Sequence, residues 1–159
     1  MKTKLSAVIV TAFCPFLFGC AHTAHEHTSS ALQIRRVVDT SSGDSQPMSI
    51  VSKETKEVVN VHRTVLLDET ALKSVGVRSD NLGHSTIEIT FNAEGRKRFA
   101  EITRENLGQR LAIVIDGQLY CAPTIRTEIS GGKAEISGNF SKDEANVLAA
   151  KIIERIKKQ

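Results

Sequence analysis

"TIEITFNAEGRKRFAEITRENLGQRLAIVIDG", residues 86–117, changes its hydrophobic period twice. Ile87, Ile89 and Phe91 alternate with Glu88 and Thr90, the period of a half-buried strand. Asn92 then stands where a helix N-cap belongs. Phe99, Ile102, Thr103 and Leu107 recur along one helical face before Gly108 at C′. Arg96, Lys97, Glu101, Arg104 and Glu105 take the opposite, solvated face. Ala112 to Ile115 is apolar at every position, so the second strand is expected to be buried on both faces. Asp116-Gly117 suits a type I′ turn, which needs positive φ at both central residues, and "QLYC" is the returning arm.

Downstream, Pro123 cannot donate to a ladder, so the chain bends or runs along an edge there. "EISGGKAEISGNFS", residues 128–141, says E-I-S-G twice and reads as a hairpin turning at Gly131-Gly132. That register sets Ile129 opposite Ala134, Thr127 opposite Ile136 and Glu128 opposite Glu135. Facing carboxylates cost from a few tenths to about 1 kcal/mol unless a cation intervenes, and Lys133 or Arg126 is placed to do so. A cation held by the two carboxylates is the sharper alternative. Ser141 and Glu144 form a capping box, with Phe140 placed to staple onto Ala145. The helix that follows carries Ala145, Leu148, Ala149, Ile152 and Ile156 on one face. Phe140 and the capping side chain fill the place a phosphate would need, and no G-x-x-x-x-G-K-[ST] is present.

Upstream, "LQIRRVV" (32–38) is a short β-prone run and "TSSGDSQP" (40–47) a loop. "MSIVSKETKEVVNVHRTVLL" (48–67) reads as a hairpin broken at "SKETKE". Asp68 is expected to cap a short helix, "ETALKSV", ended by Gly76. "VRSDNLGHSTIEITFN" (77–92) is the next extended unit.

The N-terminal residues carry an address. Lys2 and Lys4 precede the apolar run "LSAVIVTAFCPFLF", which is too short for a comfortable bilayer span and contains Pro15. It ends in "LFGC", which resembles the lipobox of bacterial lipoproteins. Residues 1–19 are therefore expected to be a signal peptide and Cys20 the lipidated N-terminus. "AHTAHEHTSS" falls within a flexible tether, residues 20–31; His22, His25 and His27 there are weak metal ligands without a fixed second shell. Loss of Cys14 and lipidation of Cys20 leave Cys121 alone, so no intramolecular disulfide is expected. The precursor has 21 Lys+Arg against 18 Asp+Glu, and removal of Lys2 and Lys4 leaves a near-neutral domain with no electrostatic case for nucleic acid.

From Asp68 to Ile153 the chain resembles the head subdomain of the first periplasmic region of SecD, which assists Sec-dependent protein export. The resemblance rests on "ITFNAEGRKRFAEITRENLGQRLAIVIDG", on Ala122, Pro123 and Ile125, and on "ISGGKAEISGNFSKDEAN". It implies a single small α+β domain, an antiparallel or mixed sheet with helices packed on one face. Residues 68–159 would form the head-like part and residues 32–67 an N-terminal strand and hairpin region. The family's membrane motor has no counterpart here, since no apolar run after Cys20 is long enough to span a bilayer. Where the family commonly has I-S-A-P, this chain has Tyr120-Cys121-Ala122-Pro123.

The resemblance implies a lipid-anchored envelope domain on the extracytoplasmic side that binds exported or unfolded polypeptides or Sec components. Ala122, Pro123, Thr124, Ile125, Arg126, Thr127 and Glu128 are the candidate edge for an added strand. A structural or sensory lipoprotein that binds a fixed partner or small ligand is the alternative. Catalysis is disfavoured: H-E-x-x-H and G-x-S-x-G are absent, and the sequence around His62 and His84 shows no catalytic constellation. No cofactor is expected. Cys121 reads as a small residue in a sheet, with a redox-active thiol as the alternative.

Overall fold

The computed structural model describes residues 30–51, 57–79 and 84–158. The expected signal peptide, Cys20, and His22, His25 and His27 of the expected tether lie outside these residues. Eight strands and two helices follow one another: β1 Leu32–Val38, β2 Ser45–Ser49, β3 Val58–Asp68, β4 Leu72–Ser79, β5 Ser85–Phe91, α1 Ala93–Glu105, β6 Leu111–Ile115, β7 Gln118–Cys121, β8 Lys133–Phe140 and α2 Lys142–Ile156. The class is α+β, and the antiparallel strands are divided between two sheets, ordered β2-β3-β1-β6-β7 and β4-β5-β8. Strands from the N-terminal third thus share a sheet with the β6–β7 hairpin.

The five-stranded sheet curls until its ends meet. Ile50, just beyond β2, bridges to Leu119 of β7, and the Val51 N–H donates to the Leu119 carbonyl at 2.8 Å. A core lies on each face. Val59, Val61, Ala112, Val114 and Leu119 pack inside the curl. Leu32, Ile34, Leu67, Leu111 and Ile115 face the main core with Ile87, Ile89, Phe91, Phe99, Leu148 and Ile152. Two cores explain why β6 is apolar at every position: its side chains alternate between them. Each large apolar side chain so buried contributes about 1.5–3 kcal/mol.

α1 starts where expected. Asn92 Oδ1 accepts the Gly95 N–H at 2.8 Å, and Asn92 Nδ2 donates to the Thr70 carbonyl at 2.8 Å. One side chain therefore caps the helix and ties it to the turn before β4. Gly95 is there because that turn comes so close: a Cβ on it would lie 2.1 Å from the Ala71 carbonyl oxygen. α2 begins with the expected capping box, Ser141 with Glu144, and buries Ala145, Leu148, Ala149 and Ile152.

Three expectations are corrected. Asp68 does cap, accepting from the Thr70 N–H at 3.0 Å, but only a single 3₁₀ turn, Glu69–Ala71, follows. "LKSVGVRS" is strand β4, because pairing Val75 with Ile89 and Val77 with Ile87 extends the sheet over the core. Leu107, expected on the buried face of α1, lies beyond its end and is 49% exposed, while Asn106 is buried.

The third correction concerns the repeated E-I-S-G. Only its second copy is a strand, and β8 pairs with β5 in the register Ile87↔Ile136, Ile89↔Ala134. Residues 128–132 instead cross α1: the Ile129 N–H donates to Thr103 Oγ1 at 3.0 Å, and Arg96 Nε donates to the Ser130 carbonyl at 2.8 Å. Fixed by the helix, that copy cannot fold back on the other.

Candidate functional site

The β6–β7 turn forms as the Asp-Gly pair requires, with φ of 51° at Asp116 and 77° at Gly117. The Asp116 carboxylate pairs with Lys151 of α2, whose ammonium is stabilised by that bond, so its pKa rises. β7 then runs through Cys121 into the candidate edge, Ala122 to Glu128.

From Pro123 to Ile125 this segment is hydrogen-bonded along one side, and it bends at Thr127. The Leu111 N–H donates to the Pro123 carbonyl (3.1 Å), the Ile125 N–H to Gln109 (2.9 Å) and the Gly108 N–H to Ile125 (2.8 Å). Ala122 and Ile125 are buried, whereas Pro123, Thr124, Arg126, Thr127 and Glu128 are exposed. Arg110 adds a clamp, with Nε donating to the Ala122 carbonyl at 2.8 Å and Nη1 to Glu57 Oε1 at 2.6 Å. The Glu57 carboxyl is thereby held below its usual pKa. Sequence reading passed over Arg110, whose acid partner lies 53 residues away.

Thr124 and Arg110 are antiparallel partners, and the bonds that flank them leave the Thr124 N–H and C=O directed away from Arg110. Neither has a partner among the described residues. Further back along the same edge, Val51 already occupies the Leu119 carbonyl. The open part of the edge therefore begins after β7, where Pro123 has no N–H to offer.

Cys121 lies behind this edge, opposite Ile113. Burial pushes its thiol up to about 11, which opposes thiolate formation and any redox role at neutral pH. Tyr120 packs on Phe140 with ring centroids 5.5 Å apart.

The carboxylate pair expected at Glu128 and Glu135 is not formed. Glu135 of β8 stands opposite Glu88 of β5, and the cation between them is Arg78 of β4: it pairs with Glu88 and lies 3.8 Å from Glu135. Neither Lys133 nor Arg126 fills that place. A cleft of about 390 Å³ opens beside this trio, between Ile129 and the outer face of β5 and β8, with Lys133 on its wall. Two carboxylates and two cations balance there.

His62 Nδ1 accepts the Thr64 N–H at 3.1 Å, a local structural bond. No three His, Cys, Asp or Glu side chains converge to hold a metal among the described residues. No helix among them is long and apolar enough to cross a membrane.

Residues 45–153 match the family described as "SecDF, P1 head subdomain". The chain is 49% identical over 85 residues to the protein translocase subunit SecD of Leptotrichia buccalis, covering 54% of this chain and 21% of that protein. The corresponding subunit of Sebaldella termitidis is 44% identical over 90 residues, 57% of this chain and 22% of its own length. This chain thus spans about a fifth of the length of these relatives. A solved structure of SecDF, a membrane component that enhances protein export, superimposes with a TM-score of 0.62 and 30% identity, over 77% of this chain and 61% of the other. With the family pattern covering well over half of the sequence and the fold in agreement, the chain belongs to the family of the SecDF P1 head subdomain.

Proposed function

We propose that this protein is a polypeptide-binding domain of the bacterial cell envelope that assists protein export or maturation. A lipid on Cys20 holds it to the membrane, and the residues between Cys20 and Ala31, which is itself buried in the core, tether the domain on the extracytoplasmic side. The lipobox "LFGC" supports the anchor, and relatives named as protein translocase subunits support the link to export. The role is binding, not catalysis.

The observation that carries the binding mode is the pair of unpartnered backbone groups on Thr124, in a segment held extended from its other side. An incoming chain that pairs with Thr124 adds a strand through main-chain bonds, which tolerate many sequences. Ala122 and Ile125 keep the edge seated because their side chains point into the fold. Exposed Leu107, next to Gly108, offers apolar contact close by.

The test is in-cell photo-crosslinking from Arg126, with and without Thr124→Pro. Many different exported chains are expected, with the yield reduced in the variant, which removes a donor that no internal partner uses. One dominant partner, or none, would replace this reading with that of a dedicated partner- or ligand-binding domain. Labelled palmitate should enter the wild type and not Cys20→Ala.

A further inference from the structure

On the inner face of the curled sheet, β1 and β3 lose register twice around one residue. Arg35 pairs with Val65, but Ile34 pairs with Leu67 and Val37 with Val61. Against the single residue Arg36, β3 therefore places His62, Arg63 and Thr64, a bulge closed by the His62–Thr64 bond. Bulges of this kind bend a strand and re-aim its side chains. Here the bulge carries Arg63, two residues beyond Val61, while Arg35 lies on the same face as its other partner, Ala112.

The two guanidinium groups differ in burial: Arg35 is half-buried, whereas Arg63 is exposed at the rim. Arg35 Nε is shut off from solvent with no hydrogen-bond partner. Among the described residues Arg63 donates to neutral oxygens, the Gly43 carbonyl and Gln46 Oε1, each at 3.3 Å. No carboxylate forms an ion pair with either among the described residues. Burial and the charge of Arg63 both lower the Arg35 pKa, yet arginine stays protonated in proteins. The Arg35 Nε–H, shut off from solvent and without a partner among the described residues, is destabilising unless something completes it.

We propose that Arg35 and Arg63 form a binding site for a phosphate-type oxyanion at the polar end of the inner core. Planar guanidinium forks match tetrahedral oxyanions through paired N–H···O bonds, and two of them balance a doubly charged phosphate. Gln46, already bonded to Arg63, offers its amide at the rim. This site is independent of the Thr124 edge and draws on none of its residues.

Thermal unfolding of the full chain in nonionic detergent tests the proposal, with inorganic phosphate against chloride at equal ionic strength. A ligand that binds only the folded state raises the melting temperature. Phosphate should do so in the wild type, and Arg35→Met and Arg63→Gln should each weaken its binding by about tenfold or more. Both variants should fold, because each removes a charge from a repelling pair. If one does not, the other answers alone. A phosphate effect no larger than that of chloride, or one unchanged in the variants, overturns the site. Capture by phosphatidylglycerol vesicles and not phosphatidylcholine, lost in the same variants, would identify the source as a lipid headgroup; protection by inorganic phosphate alone would identify a free anion.

Discussion

Cys121 shows how one side chain's surroundings decide its chemistry. Cys121 is the one cysteine among the described residues and invites a redox reading, but its half-buried side chain opposite Ile113 has its pKa raised from 9.0 to about 11. The unfolded chain loses this proton near pH 9, whereas the folded chain keeps it until about pH 11. The unfolded state therefore binds fewer protons in that window, and stability falls as pH rises through it. The loss is on the order of 2–3 kcal/mol across the whole interval. Urea denaturation of the wild type and Cys121→Ala between pH 8 and pH 11 should show the two slopes diverging, the variant being the flatter. Parallel slopes would mean that the thiol ionises freely. Arg78 teaches a related lesson: the need for a cation between facing carboxylates was legible in the sequence, but the pair is Glu88 and Glu135, brought together by strand pairing.

At the scale of elements, local chemistry predicts starts better than continuations. Asn92, Ser141 with Glu144, and Asp116-Gly117 each act as their residue types suggest, because caps and tight turns are satisfied within a few residues. "LKSV" after the turn that Asp68 caps follows the sheet and not the helix, since burial of Leu72, Val75 and Val77 over the core outweighs a short helix's own preference. Gly95 tests how tightly these elements are joined. Gly95→Ala would raise helix propensity in an isolated peptide, yet in the protein its methyl meets the Ala71 backbone. We expect a net destabilisation of about 1–3 kcal/mol, read from the urea midpoint. A stabilised variant would show that the turn before β4 yields easily.

For the molecule as a whole, the closure of the five-stranded sheet is the contact with least support. Its bonds are the Ile50–Leu119 bridge, the Val51 bond and the partly exposed Arg110–Glu57 pair, with Met48 and Ile50 half-buried against the inner core and Val51 itself 50% exposed. Exposed ion pairs contribute little, and contacts of this kind open locally at low free energy. The Val51 amide should therefore exchange with deuterium much faster than that of Ile34, which pairs in the centre of the sheet. Glu57→Gln should speed Val51 exchange further and leave Ile34 unchanged. Acid should lower the Val51 protection factor, taken relative to the intrinsic exchange rate at each pH, as the variant does, because stability from a carboxyl with a lowered pKa is present above its unfolded value and lost as pH falls through the folded one. Equal protection at Val51 and Ile34 would show that the closed sheet opens only with global unfolding.

A few neighbouring residues settle the caps of both helices, the Asp-Gly turn, the alternating face of β5 and, in "LAIVI", a strand that must be covered on both sides. Several ordered blocks also carried the resemblance to the SecD head. Tertiary structure alone decided which strands meet. The two copies of E-I-S-G are chemically able to pair with each other, but α1 holds the first while β5 offers the second an apolar partner over the core. The same holds for Arg110 with Glu57 and for Arg35 beside Arg63: partners distant in sequence, or turned by a bulge, leave no periodic signal. Such contacts form only once burial of the two cores has fixed the strands.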